Sequence, residues 1–223
     1  MDRKIPLVIL AVVIVVSALA ILTPGGRQAD VNPKLPWQIN LRDDGATEVF
    51  GLVLGQSPLS QASQLLQQDP TLSLFRSPAG EYAVEAYFQR ASLSGLRADF
   101  VMTLAVDQNK AAQMFDRGLR ISQLGSGTKK VELADTDIQQ AMASTIDLIT
   151  YIPSADLEPE LISRQFGEPA QKLDDPEGPQ HWLYPAKGLD IAVNPESKEV
   201  FQYIHPQRFD ALIQPLQAQQ PES

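Results

Sequence analysis

Apolar and polar positions alternate over much of this chain, and the period changes at a few well-punctuated points. The clearest run is Leu96 to Val106, where Leu96, Ala98, Phe100, Met102, Leu104 and Val106 share one parity. Arg97, Asp99, Val101 and Thr103 take the other parity. A period of two with one apolar face predicts a strand in an antiparallel sheet, buried on one side and wet on the other. Thr71 to Arg76 and Tyr82 to Arg90 read as strands of the same kind, joined by the turn Ser77-Pro78-Ala79-Gly80. Upstream, Trp37-Gln38-Ile39-Asn40-Leu41, the turn Arg42-Asp43-Asp44-Gly45 and Thr47 to Leu54 predict a hairpin. Ile121 to Leu124 and Lys129 to Leu133 predict another around Gly125-Ser126-Gly127-Thr128, and Leu148 to Ile152 a short strand ending at Pro153.

Where the period lengthens, short helices are expected. Ser57-Pro58 reads as an N-cap followed by proline at the first helical position, with Leu59, Ala62, Leu65 and Leu66 on one face and a stop at Asp69-Pro70. Asp107 is placed to cap a helix through Met114 and Phe115 that ends at Gly118, and Asp135 one carrying Ile138, Ala141 and Met142. From Ala155 the plan restarts. Asp156 can cap a helix with Leu157, Leu161, Ile162 and Phe166, ended by Gly167-Glu168-Pro169. The strands Gln180 to Tyr184, Gly188 to Val193 and Glu199 to Ile204 follow, the last two separated by Asn194-Pro195-Glu196-Ser197-Lys198. Phe209, Leu212, Ile213 and Leu216 predict a final helix that Pro215 keeps short.

One stretch has no polar face. Ile5 to Leu22 is free of charge, and only Pro6 and Ser17 interrupt it. At about 1.5 Å per residue it would span roughly 27 Å, close to a bilayer core of about 30 Å. Arg3 and Lys4 precede it and only Arg27 follows closely, so the positive-inside tendency leaves residues 1–4 cytoplasmic and sends the rest across. Ala18-Leu19-Ala20 also fits a signal-peptidase site, the alternative being a cleaved signal peptide. Ile21 and Leu22 continue the apolar run past that cut, which favours a retained anchor. Either reading exports the remainder. For a bacterial-type protein this implies a single-pass inner-membrane location with a periplasmic body. Residues 23–36, rich in proline and glycine, read as a linker; 37–152 and 153–216 as two modules; 217–223 as a flexible tail. The expected class is α+β, an N-terminal transmembrane helix followed by two antiparallel-sheet modules with short helices packed on one side.

Charge and composition narrow the chemistry. The net charge of −9, with +1 from residues 1–22, argues against nucleic acid and against docking on anionic lipid. Without cysteine there is no disulfide, thiolate metal site or lipidated anchor, so the exported fold must rest on its apolar core.

Phe166-Gly167-Glu168-Pro169, Trp182-Leu183-Tyr184 and Val200-Phe201-Gln202-Tyr203 together resemble the SmpA/OmlA type of envelope module, related in fold to the β-lactamase-inhibitor module. Gly51 to Val106 resembles a looser second copy, with Gly55, Ser57-Pro58, Leu65-Leu66 and Asp69-Pro70 in its helical half. The resemblance implies a fold and a habit of binding other proteins. The chain departs from the lipoproteins of that type in lacking the lipidated cysteine.

Candidate chemistry is sparse. His181 and His205 are the two histidines, and Asp190 is the nearest third ligand, yet no short-range metal spacing supports a site. Ser126 and Lys129 satisfy S-x-x-K but sit in a hairpin turn without companion motifs. The pairs Asp43-Asp44 and Asp174-Asp175 lie in turns, and a glycosidase-like pair of opposed carboxylates cannot be placed from spacing. Trp182 and Tyr184 share a strand face; core packing is the commoner role, and with Tyr203 they are the candidate partner-binding residues. The expected function is therefore that of a non-enzymatic adaptor or scaffold, without cofactor or metal, binding another envelope protein and tethered through Ile5 to Leu22. The alternatives are a carboxylate-dependent hydrolase or lyase acting on envelope substrates, and a binder of a small apolar ligand.

Overall fold

The computed structural model describes residues 32–175, 178–194 and 197–218. The expected anchor at Ile5 to Leu22, most of the linker, Pro195-Glu196 of the expected turn and residues 219–223 of the tail lie outside the described residues. Among the described residues no helix is long and apolar enough to cross a membrane. From Lys34 onward the chain forms one unit, α+β and antiparallel throughout.

A small sheet comes first: β1 (Asn40–Leu41), β2 (Thr47–Val49) and β3 (Leu52–Val53). The turn between β1 and β2 closes on Asp44, whose carboxylate accepts from the Ala46 N–H (3.0 Å) and the Gln56 side-chain amide (2.5 Å). Those bonds hold its pKa below the usual value, the Ala46 N–H contributing most. The second hairpin, unforeseen from the pattern, turns on Phe50 and Gly51, both at positive φ (57° and 79°).

Next come α1 (Leu59–Leu66), β4 (Thr71–Arg76), β5 (Tyr82–Leu93), β6 (Leu96–Leu104), α2 (Gln108–Asp116), β7 (Ile121–Gln123), β8 (Lys129–Val131), α3 (Asp135–Ala143) and β9 (Ile146–Pro153). They are followed by α4 (Pro159–Phe166), β10 (Gln171–Asp174), β11 (Gln180–Tyr184), β12 (Leu189–Val193), β13 (Val200–Ile204) and α5 (Phe209–Gln217). All strands from β4 on lie in one ten-stranded sheet of order β10-β11-β12-β13-β9-β6-β5-β4-β8-β7.

That order contains a repeat. α1 leads into the meander β4-β5-β6-β9, and α4 leads into β10-β11-β12-β13. The fourth strands of the two meanders, β9 and β13, pair antiparallel at the centre, Tyr151 opposite Phe201 and Ile149 opposite Tyr203. The hairpin β7-β8 and helices α2 and α3 fall between the third and fourth strands of the first meander and extend the sheet past β4.

Four helices pack on one sheet face. Leu59 and Ala62 of α1, Met114 of α2, Ala141 of α3 and Ile162 and Phe166 of α4 join Phe88, Phe100, Tyr151, Phe201 and Tyr203 in the main core. The expectation of helices on one side fails for α5. Its Phe209 and Ile213 meet Leu183 and Ile204, which point to the opposite face by the alternation of their strands.

Cap chemistry follows the sequence in part. Asp107 caps α2, accepting from the N–H groups of Asn109 (2.9 Å) and Lys110 (3.3 Å). Ser57, Asp135 and Asp156 do not cap: Pro58, Ala134 and Glu158 precede α1, α3 and α4. The Ser57 hydroxyl instead accepts from the Val53 N–H (3.0 Å), closing the turn that delivers α1. The C-terminal carbonyls of α4 are met from the sheet, that of Gly167 by the Tyr184 hydroxyl (2.9 Å) and that of Phe166 by Lys187 (2.5 Å).

Candidate functional site

Trp182, Tyr184 and Tyr203, the candidate partner-binding residues, are all inside, at 5 %, 5 % and 0 % exposure. Trp182 and Tyr184 face the main core, with Lys172 over the indole ring at 3.8 Å. The Tyr203 hydroxyl donates to the buried Pro36 carbonyl (3.0 Å) and fixes the chain's entry into the domain. Aromatic pattern alone cannot separate a core stripe from a binding patch, and here packing has taken all three.

The two histidines part company. His181 pairs in register with Ala192, whereas His205 lies beyond Ile204, which bonds to Gly188. Four residues of β12 separate those levels, roughly 13 Å at strand rise. His205 accepts from the Gln207 N–H and caps the single-turn helix Pro206–Arg208. His181 meets Asp190 as the sequence allowed, with Nδ1 2.7 Å from the carboxylate and both groups buried. The second Asp190 oxygen has no hydrogen-bond partner among the described residues. No serine or threonine bonds to the His181 ring there, and no group of three His, Asp or Glu side chains could hold a metal ion. The pair is a buried hydrogen-bonded clasp between β11 and β12.

Opposed carboxylates were the other chemical possibility. A groove of about 510 Å³ is lined by Asp156, Glu158 and Glu199 together with Asn194, Ser197 and Lys198. Its buried carboxylate, Glu199, accepts from the Leu157 N–H (2.9 Å), and Lys198 is tied to the Pro153 and Ser154 carbonyls. These groups hold the entry to α4. Ser126 at the tip of the β7-β8 hairpin bonds to Thr128 (3.0 Å) and not to Lys129.

The surface with unspent capacity is the sheet edge at β7. Of the five large hydrophobic side chains exposed among the described residues, four lie there: Leu119 (66 %), Ile121 (56 %), Leu124 (43 %) and, on α3, Ile138 (37 %). Each would gain by leaving water, and Leu119 and Ile138 line one groove. β8 pairs with β4 only from Leu74 to Arg76, and beyond Val131 the two strands diverge. The gap is a groove of about 450 Å³ lined by Leu119, Leu133 and Ile138, by Arg120 and Lys130, and by Thr71 to Ser73 of β4.

Backbone polarity completes the edge. The Leu124 N–H donates to Thr128 and the Glu132 N–H to Arg120, so by antiparallel alternation Ser122 and Lys130 exchange bonds within the hairpin. Ile121 and Gln123 then direct their N–H and C=O groups outward. Charge is concentrated here as well. Residues 117–131 hold Arg117, Arg120, Lys129 and Lys130 and no acid, in a chain of net −9. Arg117 donates two hydrogen bonds to the carboxylate of the buried Asp137 (3.1 and 2.6 Å). Arg120 and Lys129 form no salt bridge among the described residues, and Lys130 lies over the Phe75 ring. The sequence pattern marks this hairpin but not its exposure, because nothing in Ile121 to Leu124 tells an edge from an interior strand.

No family model, curated protein or solved structure matches this chain.

Proposed function

We propose that this chain is a membrane-anchored envelope adaptor that binds another protein through the β7 edge and performs no catalysis. The observation that carries the reading is the set of four exposed apolar side chains at a strand edge that has no pairing strand among the described residues. Unpaired edges are ordinarily blunted or covered, so an apolar one suits a partner. The pairs that might have done chemistry are spent on structure, which supports a binding role. Anchoring rests on the Ile5 to Leu22 run and the preceding Arg3 and Lys4. We further propose that the two helix-and-meander halves are related modules of the SmpA/OmlA kind, supported by their matching connectivity.

The test is site-specific photocrosslinking of the full-length protein in its native membranes. A photoreactive side chain at position 121 is expected to give a discrete adduct, and one at Glu168, on the exposed turn after α4, none. Equal labelling at both positions, or none at 121, overturns the adaptor reading. Recovery of the full-length product in the soluble fraction overturns the anchor.

A further inference from the structure

We infer that the partner enters as an eleventh strand, an extended segment in which apolar and acidic residues alternate. The inference rests on the adaptor reading of the β7 edge and specifies what that edge accepts.

The two faces of β7 differ in what they present. Ile121 and Gln123 share one face of β7 and Ser122 takes the other; Leu119, whose N–H donates to the Glu132 carbonyl, falls outside that alternation and lines the groove beside Arg120, Ser122 and Lys130. Lys129, in register with Gln123, belongs to the first face, and Lys130, in register with Ser122, to the second. A strand laid beside β7 takes its main-chain bonds from Ile121 and Gln123 and sets alternate side chains against each face. An apolar residue is called for beside Ile121, and another where the strand's end reaches Leu119 in the groove. Acidic residues are called for beside Arg120 and Lys130, with a further acid within reach of Lys129. Glu132 and Asp135 line the groove at the Leu119 end, which reserves that end for an apolar side chain.

Two other occupants fit less well. A second copy of this chain, paired β7 to β7, would bring two hairpins of like charge together. An anionic lipid surface needs an apolar face segregated from the cations, as in helices that lie in the interface. Here each face of the hairpin mixes the two.

The experiment uses the full-length protein and a fluorescent ten-residue peptide of alternating valine and glutamate. Controls are a peptide of the same composition with its valines and glutamates in separate blocks, an alternating valine–lysine peptide, and phosphatidylglycerol vesicles. The alternating acidic peptide should bind at least about tenfold tighter than either control peptide, a step of one decade in Kd. It should also slow amide hydrogen exchange at Ile121 and Gln123 in particular. Gln123→Pro removes one outward donor and no bond within the hairpin, since proline is tolerated on an edge with its nitrogen facing solvent. It should abolish the binding. Arg120→Glu with Lys129→Glu should weaken it by about tenfold or more, and that pair carries the test if Gln123→Pro disturbs the hairpin. Equal binding of the block peptide, or protection of the hairpin by vesicles and not by peptide, overturns the strand mode. A positive crosslink at 121 without peptide binding overturns this inference and leaves the adaptor reading standing. Peptide binding without a crosslink supports the strand mode and overturns the adaptor reading.

Discussion

At the scale of single residues, the fold tolerates strain and buried polar groups where packing outweighs them. Phe50 sits at φ 57°, a conformation that costs a bulky residue about 1–3 kcal/mol. Its ring lies 5.2–5.5 Å from those of Phe100, Tyr151 and Tyr203, at the centre of the main core. Phe50→Ala keeps the unfavourable φ and removes the ring, so it should cost about 3–5 kcal/mol in urea unfolding. A loss below about 1 kcal/mol would show that the ring contributes little there. His181 and Asp190 pose the opposite problem, a buried carboxylate with one oxygen already unpartnered among the described residues. His181→Ala would leave that carboxylate with no partner, at a cost of about 3 kcal/mol or more. The double variant His181→Leu/Asp190→Leu removes both polar groups and should recover most of that loss. If the double variant is as unstable as His181→Ala, the pair's contribution is packing and not charge.

At the scale of elements, the joint after β11 is fixed by an approach that only glycine permits. Gly188, at φ 62°, follows the single-turn helix Pro185–Lys187, and a Cβ there would overlap the Ile204 carbonyl oxygen and crowd the Thr47 hydroxyl. That hydroxyl lies 3.0 Å from the Lys187 carbonyl and 3.2 Å from that of Ile204, so the small sheet and the large one meet at this point. Gly188→Ala should therefore lower the thermal midpoint by several degrees, more than Gly45→Ala, which also has a positive φ (81°) but open space around it. Equal shifts would mean that dihedral strain alone is at work. The same contrast shows what could be read from the sequence. Alternation in Leu96 to Val106 and helical spacing in Leu59 to Leu66 located β6 and α1 because each records a local face. β10 was missed because Gln171 to Asp174 lies at the opposite edge of the sheet, with little apolar surface to record. α5 was located but assigned to the wrong face, since a stripe says that a helix is buried and not on which side of a sheet. The edge at β7 escaped for a related reason: exposure of Ile121 depends on β7 being the last strand, a property of sheet order.

At the scale of the whole molecule, the question is whether the two meanders unfold as one. They share the β9–β13 pairing at the centre of a continuous sheet, and the aromatic cluster crosses that seam, with Tyr151 against Phe201 at 5.7 Å and Phe50 against both Tyr151 and Tyr203. Removing either half would expose the seam, so no subset of strands retains its core. Burial pushes the Tyr151 and Tyr184 hydroxyls up to about 12 and that of Tyr203 well above its ordinary value. In the unfolded chain each loses its proton near 10. Between those limits the folded protein holds protons that the unfolded chain has released, so stability is intact below pH 10 and falls as pH rises toward 12. Because Tyr151 belongs to one meander and Tyr184 and Tyr203 to the other, that loss should appear as a single transition. Trp37 and Trp182 lie far apart in the sequence and both pack on the main core. Alkaline titration should move the near-ultraviolet circular dichroism and the tryptophan fluorescence at one midpoint. Tyr151→Phe and Tyr184→Phe should each flatten the dependence on pH without separating the two signals. Two resolved midpoints would show that the halves fold independently and that the β9–β13 seam does not couple them.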